Sequence, residues 1–199
     1  MLVNALALVL MSHADGGTRL MADLDEDGEL EHIEAVLNAK NRIVLRVKEA
    51  GMKGKAATAE FVLPALADVE GPLTAFSLSW SNASQSGVPL LVLAVPRRET
   101  CASASRTFYF TYRSAKPRQR GELAKAFVLT SGSDAPVFSE ETVRMQPESK
   151  SVVITRVEGE HLEAGGQLAD TTETTLTWNG TAFKPTASRK WHSEPQKNQ

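Results

Sequence analysis

The sequence predicts a mainly β chain: an antiparallel β-sandwich, barrel or partial propeller with few short helices. Three observations carry that prediction. Apolar residues recur with period two in at least eight short segments, those segments favour β-branched and aromatic residues, and clusters of Gly, Ser, Asn and Pro separate them. With 199 residues, 42% of them apolar and 23% charged, the chain has the make-up of one ordinary globular domain with a sizeable core.

The first element is Leu2 to Met11, a short apolar run followed by the small residues of Ser12-His13-Ala14. That pattern reads as an export signal with cleavage before Asp15. No basic segment precedes the run, so a buried strand or helix fits it as well. The expected organisation is a signal peptide over 1–14, a single β-rich domain over 15–184, and a polar tail over 185–199 that frays. The expected location is secreted or periplasmic. No segment approaches the ~20 apolar residues needed to cross a bilayer as a helix.

Strands follow in sequence at Ile43–Val47, Ala59–Leu63, Leu73–Trp80 and Pro89–Val95. Arg106–Tyr112, Ala126–Thr130, Ser151–Val157 and Thr174–Trp178 continue the series. Turn formers lie between them at Ser81-Asn82, Ser86-Gly87, Ser131–Asp134 and Gly165-Gly166. Asn179-Gly180, between Trp178 and Thr181, predicts a hairpin with a type I′ turn. Two stretches read equally well as helix: Gly121–Ala126, and Leu30–Asn41, where Leu30, Ile33, Val36 and Leu37 share a helical face. No convincing repeat of 20–50 residues occurs, which argues against a full multi-blade propeller.

Charge is unevenly spread. Residues 35–120 hold 13 Lys/Arg against 5 Asp/Glu, whereas residues 23–34 hold seven acidic side chains and no Lys or Arg. The basic middle suits the wet faces of strands and turns (Lys40, Arg42, Arg46, Lys48, Lys53, Lys55). Acidic glycans, lipopolysaccharide and nucleic acid are partners such a region can attract, but no recognition helix or basic–aromatic RNA motif is present, so no nucleic acid partner is expected. Cys101 is the single cysteine. It permits no intrachain disulfide and reads as a small packing residue despite the neighbouring Arg97 and Arg98.

The acidic run Asp23-Leu-Asp-Glu-Asp-Gly-Glu-Leu-Glu31 is the one segment whose spacing names a chemistry. Oxygens on alternate residues (Asp23, Asp25, Asp27), followed by Gly28, form the D-x-D-x-D-G spelling of a calcium loop. Glu34 stands at the twelfth position, as in an EF-hand, but Gly16-Gly17 upstream disfavours the entering helix that motif needs. With Ala22 before it and Ile33 and Ile43–Val47 beyond it, the run resembles the FG-GAP or VCBS-type repeat over about 25 residues. There an acidic loop joins two strands. The resemblance implies Ca2+ held by side-chain oxygens of Asp23, Asp25, Asp27 and Glu31 and by the backbone carbonyl of Glu29. Glu26 stands where that family commonly has Gly, and Glu31 where it more often has Asp. An ion there is expected to be structural, offsetting several kcal/mol of carboxylate repulsion.

Enzyme signatures are absent: no G-x-S-x-G, H-E-x-x-H, P-loop or G-x-G-x-x-G occurs. His13, His32, His161 and His192 are scattered, His13 beside Asp15 and His161 between Glu160 and Glu163. The expectation is therefore an exported, non-catalytic, calcium-stabilised protein that binds a protein or glycan partner or contributes to a structural assembly. Exposed Phe108, Tyr109 or Trp80 on a β surface would favour that binder. The alternatives are a hydrolase or hydrolase accessory module built from the loops Ser81–Pro89 and Val157–Thr171, marked by a deep pocket of converging acids and His, and an EF-hand-type calcium sensor.

Overall fold

The structure, a computed structural model, describes residues 17–40, 42–49, 58–64, 76–95, 103–114, 121–134, 136–161 and 167–193. The apolar run to Met11, the Ser12–Ala14 cleavage site, His13, Cys101, Arg97, Arg98 and Gly165-Gly166 lie outside the described residues.

Two antiparallel sheets make the fold. The first is the four-stranded meander β1 (Thr18–Ala22), β2 (Glu31–Leu37), β3 (Ile43–Lys48) and β4 (Thr58–Val62). The second runs in sequence order through β5 (Ser77–Ser81), β6 (Leu90–Val95), β7 (Ser103–Arg113), β8 (Glu122–Asp134), β9 (Val137–Gln146), β10 (Ser151–His161), β11 (Gln167–Trp178) and β12 (Phe183–Ser193). One short helix, α1 (Ala83–Ser86), interrupts the β5–β6 hairpin, and a 3₁₀ turn at Pro147–Ser149 joins β9 to β10. The sheets do not close into a barrel, and every neighbouring pair is antiparallel.

The alternation along β6–β8 places apolar side chains on both faces. Leu91, Leu93, Val95, Phe108 and Phe110 pack on Leu20, Ile33, Ala35, Ile43, Leu45 and Val47 of the first sheet. Phe110 is fully buried, with its ring 5.1 Å from that of Phe61. The opposite face presents Leu90, Tyr109, Phe127 and Leu129 to Val152, Ile154, Leu176 and Phe183 from β10–β12. Phe127 on β8 and Phe183 on β12 lie four strands apart in the sheet, roughly 19 Å if it were flat. Their rings are 5.7 Å apart, so the eight-stranded sheet folds over and β6–β8 becomes a central layer. The fold-over starts where β9 leaves β8: their pairing ends at Gly132 with Ser139. Beyond it Glu141 takes the place of a strand neighbour, its carboxylate accepting from Thr130 N at 2.6 Å while Ser131 Oγ lies 3.2 Å from Glu141 N.

Four sequence expectations are corrected here. The described part of Leu30–Asn41, through Lys40, is not helical: Glu31, Ile33 and Ala35 alternate into the core from β2 because β1 and β3 flank it on both sides. Gly121–Ala126 leads into β8 for the same reason, paired along β7, with Ala126 an extra residue at a bulge. Residues 185–193 of the expected tail are not frayed but belong to β12, an edge strand paired with β11 along its length; residues 194–199 lie outside the described residues. The Asn179–Gly180 hairpin is present but its connection spans four residues, with Asn179 N bonded to Ala182 O at 3.2 Å. Asn179 Oδ1 accepts from Thr181 N and Ala182 N, so its side chain shapes the turn. Only Gly180 there has positive φ.

Candidate metal centre

The acidic run forms the loop between β1 and β2. Strands flank it on both sides, which removes the helix–loop–helix geometry of an EF-hand. The turn is tight. Glu26 (φ 62°) and Gly28 (φ 93°) both take the left-handed region, where only Gly is free of Cβ strain. Each short acid then stitches the loop to itself: Gly28 N donates to Asp23 Oδ2 at 3.0 Å, Asp27 N to Asp25 Oδ1 at 3.3 Å, and Glu29 N to Asp27 Oδ1 at 2.8 Å. These backbone bonds turn the three carboxylates toward one another.

One carboxylate oxygen each from Asp23, Asp25 and Asp27 lies within 4.8 Å of the others. Oxygens around a single calcium ion at 2.3–2.6 Å stand at most about 5.2 Å apart, so the cluster is already at a spacing one ion can share. Ionised together, the acids repel by roughly 1–3 kcal/mol per pair, depending on screening. Among the described residues no Lys or Arg pairs with Asp23, Asp25, Asp27 or Glu31. Among the described residues, buried Asp23 Oδ1 has no hydrogen-bond partner.

Glu31 stands beside this trio and outside it. It is 2% exposed, and its Oε2 accepts from Leu24 N at 2.6 Å. Burial, with added repulsion from Asp25, Asp23 and Asp27, pushes its carboxyl up to about 7 against the Leu24 hydrogen bond. Asp25 is raised by burial too, despite hydrogen bonds from Ser114 and from the Asp27 backbone. Glu29 is exposed at the outer rim. Thus the structure gathers Asp23, Asp25 and Asp27, seats Glu31 at their inner side, and leaves Glu29 at the edge.

Three residues around the centre had no local signal in the sequence. Glu49, just past β3, accepts from Tyr112 Oη at 2.7 Å and from Ser114 Oγ at 3.1 Å. Burial and the nearby acids push the Tyr112 hydroxyl far above its ordinary range. These groups reach the loop only through tertiary folding, from the β3 and β7 ends. Glu26 and Glu34 also find roles. Glu26 Oε1 accepts from Ala83 N of α1 at 3.0 Å, and Glu34 pairs with Arg46 at 3.3 Å on the outer face of the first sheet.

No family model, curated protein or solved structure matches the chain. What the site can do is therefore read from its own geometry. An all-oxygen set suits a hard cation, calcium or magnesium, over a thiolate- or imidazole-preferring metal.

The other sequence candidates do not converge. His32 is exposed on β2, His161 lies against the Phe138 ring at 5.0 Å, and His192 pairs with Asp170 at 2.7 Å. Of the two loops considered for a hydrolase, Ser81–Pro89 contains α1 and Val157–Thr171 is mostly strand. An open cleft of about 310 Å³ is lined by Val128, Glu141, Ile154, Arg156, Glu158, Thr172 and Thr174, without a His. The aromatics expected on the surface are inside: Phe108 and Tyr109 are buried and Trp80 packs half-buried on the core. Trp191, with Arg189 stacked on its ring at 5.1 Å, is the large exposed aromatic among the described residues.

Proposed function

We propose that the chain is an exported, calcium-stabilised, non-catalytic β protein that binds a protein or glycan partner or contributes to a structural assembly, with the ion at the β1–β2 loop. The observation that carries the ion is the convergence of Asp23, Asp25 and Asp27 to within 4.8 Å with no basic side chain among them. The strand–loop–strand setting and the left-handed turn support the FG-GAP-like reading of the loop. Glu31 belongs to the ion's surroundings, and the Glu29 carbonyl is the proposed backbone ligand. A structural role follows from position: the loop joins the first two strands and touches α1 of the second sheet. An ion there links segments that an unfolded chain does not hold together.

The test is calcium titration by calorimetry into chelator-treated protein, with thermal melts in calcium and in chelator, on wild type and Asp25→Ala. Binding in the micromolar to millimolar range is expected for wild type. At a hundredfold excess over Kd the gain is about 2.7 kcal/mol, or roughly 5–10 °C for a chain of this size. Equal melting temperatures in calcium and chelator for wild type would refute the structural ion.

A further inference from the structure

We infer that Glu26 is a latch that carries cation occupancy of the β1–β2 loop to the opposite end of the second sheet, an inference that rests on the calcium reading of that loop. Glu26 holds a left-handed backbone at φ 62°, a conformation that costs a residue with a Cβ free energy and that Gly would adopt without strain. It is not one of the three grouped carboxylates. Its carboxylate instead crosses to the other sheet and accepts from Ala83 N at 3.0 Å, 57 residues away.

Ala83 opens α1, a single turn whose free amides need partners. Asn82 Oδ1 takes Gln85 N at 3.1 Å, and Glu26 takes Ala83 N. The far end of α1 is equally committed. Ser86 is fully buried, its hydroxyl donating to Val88 O at 2.6 Å. Gly87, at φ 77°, sits so close to the next turn that a Cβ would lie 2.7 Å from Pro147 O and 2.9 Å from Lys150 Cα. Lys150 is itself left-handed at φ 46°, and its carbonyl accepts from Trp178 N of β11 at 2.9 Å. A continuous run of contacts therefore joins the acidic loop to α1, to Pro147–Lys150 and to β11.

The two-state element is the loop. With its carboxylates neutralised by a cation, the turn holds Glu26 in place and α1 is clamped between Glu26 and Pro147–Lys150. Without the cation, repulsion among Asp23, Asp25 and Asp27 opens the turn, Glu26 relaxes from its strained conformation, and α1 loses one of its two anchors. Coupling of this kind requires a segment with two arrangements whose balance both the ion and the α1 contact bias.

Hydrogen exchange by mass spectrometry on wild type, Glu26→Ala and Glu26→Gln, each in calcium and in chelator and each with calorimetry on the same samples, tests the latch. Calcium is expected to slow exchange about tenfold at 83–88 and 147–150 in wild type. Glu26→Ala is expected to bind calcium and lose that slowing, and Glu26→Gln, which keeps the acceptor oxygen, to retain it. If wild type binds calcium yet those segments do not respond, or respond equally in Glu26→Ala, the latch is wrong and the calcium reading stands. Loss of calcium binding in Glu26→Ala would make Glu26 a ligand and overturn the latch. No heat of binding in wild type would overturn both.

Discussion

In calcium-free solution the buried acid Glu31 should make this protein lose stability as pH rises through neutrality. Its carboxyl moves from 4.5 in an open chain to about 7 in the folded one, so the folded state holds the proton more tightly than the unfolded state. The stabilisation from the neutral acid is then fully present below pH 4.5, declines above it, and is gone once pH has passed 7. A shift of that size corresponds to up to about 3 kcal/mol at 1.36 kcal/mol per unit. For a chain of this length that amounts to a fall of roughly 6–12 °C in Tm between pH 4.5 and 8. The perturbation is Glu31→Gln, which keeps an oxygen for Leu24 N but carries no titratable proton. Urea melts in chelator at half-unit steps across that range should show a downward slope in wild type and a clearly shallower one in the variant, where Asp25, also raised by burial, still contributes. Saturating calcium should also flatten the wild-type slope, because the ion favours the ionised cluster. If Glu31→Gln keeps the full wild-type slope in chelator, the buried carboxyl is not its source and the electrostatic account of the centre is wrong.

Other outcomes follow from the packing. Phe110→Ala removes a fully buried ring from the face shared by the two sheets and should cost about 3–5 kcal/mol in urea melts; a loss below 1 kcal/mol would mean that the sheets do not pack there. Gly87→Ala and Gly180→Ala separate backbone strain from crowding, since both glycines have positive φ but only Gly87 faces atoms within 4 Å. Gly180→Ala should cost roughly 1 kcal/mol, and Gly87→Ala at least about 2 as the β5–β6 and β9–β10 turns are pushed apart. Equal losses would remove the tight contact at Pro147. Glu141→Ala should destabilise by about 1–3 kcal/mol by leaving Thr130 N unsatisfied where β9 leaves β8, whereas Glu140→Ala, exposed one residue away, should be nearly neutral by the same melts.

Much of the strand content was legible because period-two alternation is a local property. Ile43–Val47, Ala59–Leu63 and Pro89–Val95 fall within one residue of β3, β4 and β6. Strands were missed where the alternation was diluted. β9 spells Val137-Phe-Ser-Glu-Glu-Thr-Val-Arg-Met-Gln146, and most of it is exposed or half-buried. β12 buries only Phe183 among its described side chains, so its polar sequence looked like a tail. The ambiguity of β2 was real, since Ile33, Val36 and Leu37 satisfy a helical stripe while Glu31, Ile33 and Ala35 satisfy a strand. The neighbours β1 and β3 decided it by supplying ladder partners.

By itself the sequence determined the β class, most strand positions, the hairpin at Asn179-Gly180 and the acidic loop with Asp23, Asp25 and Asp27, because each rests on residues within a few positions of one another. The continuous apolar run Pro89–Val95 already read as buried on both faces. Tertiary structure alone decided that β7 and β8 are covered on both faces, that Phe108 and Tyr109 are core, and that Glu49, Tyr112 and Ser114 border the acidic centre. It also decided that Glu31 is a buried acid and that Glu26 reaches Ala83. Those outcomes depend on which strand lies across from which. Alternation says only that a strand has two faces; what covers each face, and which distant oxygen or amide comes within 3 Å, is set by how the sheet folds over on itself.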